Sequence, residues 1–571
     1  MQPQQALQPG KKKKTQITTK RHSNDTSSLQ RSVLLKFLFD SEAGYAKPLT
    51  RGPSESFSGA YIPSIPSSQF AKINPALYLS PKMPLTIARN VAVVGAGAAG
   101  LIAARELRQE GHRVVVFERE DRVGGTWLYD QATEPDPLGL DSTRPVVHSS
   151  LYASLRTNLP REVMGFLDFP FVATEDSRRD PRRFPGHREV LEYLNDFTDW
   201  FGLEGLVRFE SEVMHVGLVE GGKWEVRSEN AGNQLEEVYD AVVVCNGHYT
   251  EPRIAEIPGI ETWPGKQIHS HNYRVPEPFH GQLLGQNWFH LHCMKFHAKN
   301  DKGMPIMDCG IQSLNIKVVI LIGGSASAAD ISRELAGVAK EVHIASRSVI
   351  QGTTGKLPGY DNVWLHSMIE SVHEDGTVKF QDGGAAHGDT ILHCTGYKFH
   401  FPFLDTSCTV SVEDNRVGPL YQHVFPPLLA PWLSFVGLPW QIIPFPLFEL
   451  QSKWVAGVLS NRIKLPSSEE MMEDVKAFYK KLEESGMPKR YTHQAGDYQF
   501  EYTDWLAAQC KYPPYEEWRK QMFIANRKNK RERPETYRDE WDDHHLISLA
   551  HEDFTKYCSK LGINGFLSHA Q

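Results

Sequence analysis

Short apolar runs that read as buried strands alternate along this chain with stretches whose apolar residues recur at helical spacing. Val91 to Val94 form a mostly β-branched run that breaks at Gly95 and Gly97 and passes into LIAARELRQ. Gly111 stops that predicted helix, and VVVF at 114–117 supplies a second strand leading to Glu118. The order strand, turn, helix, strand predicts a βαβ unit with parallel strands. DPRRFPGHREVLEYLNDFTDWFGL predicts a helix entered through Pro185 and Gly186, with Val190, Leu191, Leu194 and Phe197 on one face. Its lead-in, Arg182 and Arg183, reads as a solvated face. RFESEVMHVGLVEGGKWEVRSE alternates apolar and polar residues around Gly221 and Gly222, a β-meander, and AVVVC at 241–245 reads as a buried strand. Residues 318–330, VVILIGGSASAAD, then repeat the opening organisation, and EVHIASRS supplies the strand after their helix.

The glycines carry the first chemical signal. Gly95, Gly97 and Gly100 complete G-x-G-x-x-G between strand and helix. The first glycine allows the turn, the second removes a side chain that would block a pyrophosphate, and the third lets helix and strand pack closely. The helix N-terminus then offers free N–H groups and a positive dipole end to the phosphates. Glu118 stands where an acid would accept a hydrogen bond from a ribose hydroxyl. In the second unit Gly323 keeps the turn, Ser325 replaces the middle glycine, and Ser327 is again small. Arg347 ends its second strand where the first unit has Glu118. A carboxylate repels a 2′-phosphate and an arginine attracts one, so the first site is predicted to take FAD and the second NADPH. The other reading of Arg347 is a surface arginine at a strand end. DRVGGTWLYD adds Gly124 and Gly125, which permit backbone contact with a ligand, and the flat side chain of Trp127. Asn158 lies between Thr157 and a Leu-Pro turn, its amide free to be held locally or aimed at a ligand.

Two facing dinucleotide sites imply hydride transfer from NADPH to flavin. The next acceptor is constrained by the cysteines. All seven (245, 293, 309, 394, 408, 510 and 558) are scattered with no C-x-x-C, which argues against a disulfide reductase, a disulfide framework and a zinc site. Oxygen is then the natural acceptor, and a reducing compartment the expected location. A net charge of -7 speaks against a nucleic-acid binder, and no run of apolar residues long enough to cross a membrane is present. Residues 1–82, with KKKK at 11–14 and Ser-rich stretches, read as a disordered extension, since Met83 itself stands just before the first strand. Organelle targeting by this segment is the alternative.

VGAGAAG, GGTW, LRTNLP, WPGKQIHSHNY, GGSASAADI and HCTGYKFHFPFL together resemble the class B flavin-containing monooxygenases. Within WPGKQIHSHNY, Gly265, His269 and Tyr273 fit that family's fingerprint, with Trp263 in place of its usual phenylalanine. Cys394, Thr395, Gly396 and Tyr397 look like its motif linking the nucleotide domain back to the flavin domain. RTNLPREVMGF and PLFELQSKW further resemble the plant S-oxygenating, glucosinolate S-oxygenase-like subgroup. The resemblance implies an α/β fold of two Rossmann-like domains, the NADPH domain inserted into the FAD domain. It implies oxygenation of a small thioether to a sulfoxide through a flavin C4a-hydroperoxide, with N-oxygenation of amines as the alternative. It gives Asn158 a place near the flavin, and His269 and Tyr273 interdomain and NADP-site roles. A homodimer and a cytoplasmic enzyme are expected.

The expected domain map is 83–252 for the first part of the FAD domain, 253–392 for the NADPH domain, and 393–571 for the second part and a helical tail. That tail is expected to pack across the flavin domain and wall the substrate entrance. One stretch departs from the resemblance: residues 282–317 intervene where the family passes almost directly into a strand, and such a long connection is unusual. His290, His292, Cys293, His297 and Cys309 lie in it without zinc spacing, so no metal is expected. The segment reads as translated non-coding sequence; if real, it predicts a loop or a flavoprotein with poor turnover.

Overall fold

The computed structural model describes residues 87–174, 176–280, 317–349 and 353–558. The extension 1–82, and the candidate metal ligands of the 282–317 stretch, lie outside the described residues.

Two parallel sheets organise the chain. In the first, β1 (Asn90–Val94) lies between β2 (Arg113–Phe117) and β3 (Ala241–Val244), with Val207–Arg208 and Leu433–Phe435 at the two edges. All four of its pairings are parallel. In the second, β4 (Val318–Ile322) lies between β5 (Glu341–Ala345) and β6 (Thr390–His393). Val363–His366 and Lys266–His269 flank these in parallel, and Gly355–Lys356 closes one edge antiparallel. The chain thus leaves the first sheet after Val244, builds the second, and returns to the first at Leu433. The two crossing segments pair with each other, Glu251–Pro252 against Tyr397–Lys398. This is the α/β architecture of one dinucleotide fold inserted in another. Lys317 Nζ donates to the Pro278 carbonyl at 3.1 Å, and β4 is buried along its whole length.

Helix α1 (Ala98–Gln109) follows β1 and packs on α3 (Pro444–Leu459), while α2 (Ala326–Ala336) follows β4. The meander appears as Glu212–Val219, Lys223–Asn230 and Asn233–Tyr239. The tail forms helices Ser468–Glu484, Gln499–Cys510, α4 (Glu517–Glu532) and His544–Cys558. Its Tyr502, Leu506, Met522 and Phe523 share one core with Leu101 and Ile102 of α1, so the tail does pack across the first fold. Inside the α1–α3 contact Arg105 is wholly buried and meets Glu106 at 2.5 Å, Asp168 at 2.6 Å and Glu449 at 3.2 Å. Arg183 corrects its expected solvated face: it is buried and paired two-pronged with Asp543, at 2.6 and 2.9 Å. A counter-charge 360 residues away decides this, which no local pattern records.

Candidate active site

The same turn is built twice. Gly95 has φ +100°, and a Cβ there would stand 2.7 Å from the Cys245 carbonyl oxygen. Gly323 has φ +126°, and a Cβ there would stand 2.3 Å from the Cys394 carbonyl oxygen. Each first strand therefore runs over the end of its neighbour with no room for a side chain. At Gly100 a Cβ would overlap the Gly95 carbonyl, 1.8 Å away, so only glycine lets α1 come this close. Gly97 and Gly125 face each other through bare backbone, and Gly124 N–H donates to the Ala96 carbonyl at 3.1 Å. Trp127 ends the short helical turn from Gly125 and packs on the first core.

Neither helix that opens on these turns is capped by its own chain. Gly97 before α1 and Ser325 before α2 make no side-chain cap, and neither first turn carries an acid. The tail helix Ser468–Glu484, in contrast, has a full capping box from Ser467 and Glu470. Open N–H groups beside a bare-backbone turn fit a diphosphate. Ser327 lies half-buried in the first turn of α2. Glu118 is buried just past β2, with Oε2 accepting from Ala96 N–H at 2.7 Å and Oε1 from Glu120 N–H at 3.0 Å. Burial pushes its carboxyl pKa up, against the pull of those two N–H groups. Its anchored carboxylate sits at the glycine turn with lone pairs left for a hydroxyl. Arg347 is exposed two residues beyond the end of β5.

The crossing segments meet at Gly396. Its carbonyl accepts from Arg253 N–H and from His269 Nε2, both at 3.0 Å, while Thr395 Oγ1 donates to the Arg253 carbonyl. His269 Nδ1 accepts from His271 N–H at 3.0 Å, which leaves the ring proton on Nε2 to donate. Burial holds this histidine down at about 3, so it is neutral. Tyr273 is buried and donates to Glu334 Oε2 on α2 at 2.6 Å. The fingerprint pair therefore joins the second sheet to the crossing strands and to its own helix.

Between the folds runs a lining of rings. Tyr397 lies 5.2 Å from His269 and 5.7 Å from Tyr249, and Tyr249 lies 4.4 Å from His248. Tyr249 is 46% exposed. His248, beside it, has Nε2 buried with no partner among the described residues. Sequence reasoning missed these two and Arg253. Burial lowers the Arg253 pKa, and after burial the charges of Arg347 and Arg490 lower it further, so a cationic cluster stands at the second fold. An arginine in a linker carries no local signal. Asn158 is exposed on its loop, its carbonyl accepting from Asn526 Nδ2 at 3.0 Å.

Two glycine turns with open helix ends, one in each of two linked parallel sheets, define a protein that binds two dinucleotides. The family model for flavin-binding monooxygenase-like proteins matches residues 88–284 and 356–515. The chain is 57% identical to the Arabidopsis thaliana flavin-containing monooxygenase FMO GS-OX-like 4 over 486 residues, covering 84% of this chain and 100% of that one. Against FMO GS-OX5 of the same plant it is 57% identical, covering 82% and 95%. The solved S-allyl-L-cysteine S-oxygenase from Allium sativum is 58% identical with a TM-score of 0.76, covering 83% of this chain and 100% of that chain. The chain belongs to the flavin-binding monooxygenase-like family. It is a flavin-containing monooxygenase with FAD and NADPH as cofactors. No described helix is long and apolar enough to cross a membrane.

Proposed function

We propose that this monooxygenase uses NADPH and O2 to convert small thioethers to sulfoxides, methylthioalkyl compounds of the glucosinolate type among them. The observation that carries the reading is the likeness to the Allium sativum S-oxygenase over the whole of that chain and 83% of this one. In this reading residues 83–252 and 393–571 hold FAD and residues 253–392 hold NADPH. Gly95, Gly97, Gly100, Gly124 and Gly125 admit the FAD diphosphate, Glu118 takes its ribose, and Trp127 walls the site. Gly323, Ser325, Ser327 and Arg347 receive NADPH, with Arg253 as a second cation for its 2′-phosphate. His269, Tyr273, Thr395 and Gly396 hold the two folds in register, and Asn158 contributes its amide at the reacting end.

Bound flavin, once reduced, supplies the oxygen chemistry. A thioether sulfur brings its own lone pair, so the chain needs no general base; its work is orientation and exclusion of water. The scattered cysteines, with no C-x-x-C, fit a reducing compartment, and the cytoplasm is the proposed one. The test offers S-allyl-L-cysteine and a tertiary amine together to the full chain loaded with FAD, and separates the products by mass spectrometry. Sulfoxide formed in proportion to NADPH consumed is expected; amine oxide as the main product would overturn the reading. Light scattering of the same preparation tests the homodimer expected from the sequence.

A further inference from the structure

Three parts of the molecule that are distant in sequence converge on one turn between α4 and the last helix. Arg538, in that turn, pairs two-pronged with Asp330 of α2, NH1 to Oδ1 at 3.1 Å and NH2 to Oδ2 at 2.7 Å. The same guanidinium donates to the Thr157 carbonyl at 3.0 Å and to the Arg156 carbonyl at 3.4 Å. Arg156 answers from the other side, donating to Asp539 at 2.9 and 3.1 Å and to the Arg538 carbonyl at 3.2 Å. Tyr152 donates its hydroxyl to Asp330 Oδ2 at 2.8 Å. Glu535 accepts from Tyr360 of the second fold at 2.7 Å, and Asn526 of α4 holds the Asn158 carbonyl.

A residue in the tail, one in α2 and the backbone beside Asn158 are thus tied by a single side chain. A guanidinium suits the task because its planar fork grips both oxygens of a carboxylate while its remaining N–H groups reach two carbonyls, four bonds where a lysine has three donors and no fork. We propose that residues 535–539 form an interdomain strap and that Arg538 is a positioning residue, setting the Asn158 loop against the helix that opens the NADPH fold. The proposal rests on the functional reading above for the meaning of Asn158 and α2. The strap itself rests on the contacts alone.

The experiment compares wild type, Arg538→Met, Asp330→Asn and the double variant, all as full chains loaded with FAD. Amide exchange across residues 152–160 is followed by mass spectrometry, alongside flavin content, the KM for NADPH, and peroxide released per NADPH consumed. Arg538→Met is expected to speed exchange there by about tenfold, the loss of a charge-assisted hydrogen bond. It is expected to raise the KM for NADPH and the peroxide fraction several-fold, because a displaced loop misaligns the reacting groups. Asp330→Asn is expected to add little in the Arg538→Met background. If Arg538→Met fails to load flavin, Arg538→Lys, which keeps the charge and loses the fork, takes its place, with a smaller rise in the same quantities. Unchanged exchange and peroxide fraction overturn the proposal, as does a fall in flavin content with the peroxide fraction of the loaded enzyme unmoved. Should wild type itself make no sulfoxide, the functional reading falls, and exchange alone judges the strap.

Discussion

Gly97 and Gly125 meet backbone to backbone across the first dinucleotide turn: a Cβ on Gly125 would stand 2.9 Å from the Gly97 Cα, and one on Gly97 would stand 3.5 Å from the Gly125 Cα. The contact is therefore asymmetric. Gly125→Ala forces backbone apart and also strains a residue at φ +54°, at a cost of about 1–3 kcal/mol. Gly97→Ala makes an ordinary contact inside the protein and fills only the space meant for the cofactor. Gly97→Ala is expected to keep the melting temperature of the flavin-free protein while weakening FAD binding by at least about tenfold; Gly125→Ala is expected to lose both. Flavin titration and thermal melting separate them, and a Gly97→Ala protein with full FAD occupancy places the diphosphate elsewhere.

In the proposed reading Arg253 and Arg347 share the 2′-phosphate of NADPH; burial first, and then the charge of Arg347, lowers the Arg253 pKa. Replacing either with alanine is expected to cost about tenfold to a hundredfold in kcat/KM with NADPH, the worth of a charge-assisted contact. The value with NADH is expected to change little, since that dinucleotide lacks the phosphate. Equal losses with both dinucleotides would remove the two arginines from phosphate recognition.

Arg105 is surrounded by Glu106, Asp168 and Glu449, with Lys453 as the second cation, 3.0 Å from Glu106 and 3.1 Å from Glu449. Burial pushes Glu449 up to about 6 in spite of both cations. Arg105→Met leaves three acids against one lysine at the α1–α3 contact. The expected loss is about 3–5 kcal/mol, because the penalty falls on the abandoned carboxylates. Denaturant unfolding at pH 7 measures it, and a loss below about 1 kcal/mol would show that water reaches the site.

Burial holds His269 down at about 3 and His393 down at about 4, against an ordinary value of 6.5. Between pH 6.5 and about 4 the unfolded chain takes up protons that the folded chain refuses. Their contribution is complete above pH 6.5 and is lost as the pH falls, by up to about 1.4 kcal/mol per pH unit for each ring. His393→Gln keeps a donor for the Gln267 side chain, which His393 Nε2 contacts at 3.2 Å, and removes the titration. Melting temperatures from pH 8 to pH 5 are expected to fall less steeply in that variant; parallel slopes would assign the acid sensitivity to other groups.

Both βαβ units, the meander, the tail helices and the glycine turns were legible because their signals are local: apolar period, β-branching, and glycine where φ is positive. The joint that ties the second sheet to the crossing strands was legible only through resemblance, at His269, Tyr273, Thr395 and Gly396. Arg183, Arg253 and Arg538 were not legible. Each is an arginine in an irregular segment, and the charge that sets its surroundings (Asp543 for Arg183, Arg347 for Arg253, Asp330 for Arg538) lies far away along the chain.

The sequence by itself determined which segments are strand, turn and helix, where the backbone must be bare, and which unit ends in an acid and which in a cation. Those properties follow from each residue's own conformational freedom and charge, and from neighbours a few positions away. Tertiary structure alone decided that the glycine turns press on the Cys245 and Cys394 carbonyls, that Arg105 and Arg183 are buried, and that a turn at residues 535–539 reaches both folds. Contacts between distant segments depend on where the assembled sheets and helices place each side chain, and local spacing does not encode that.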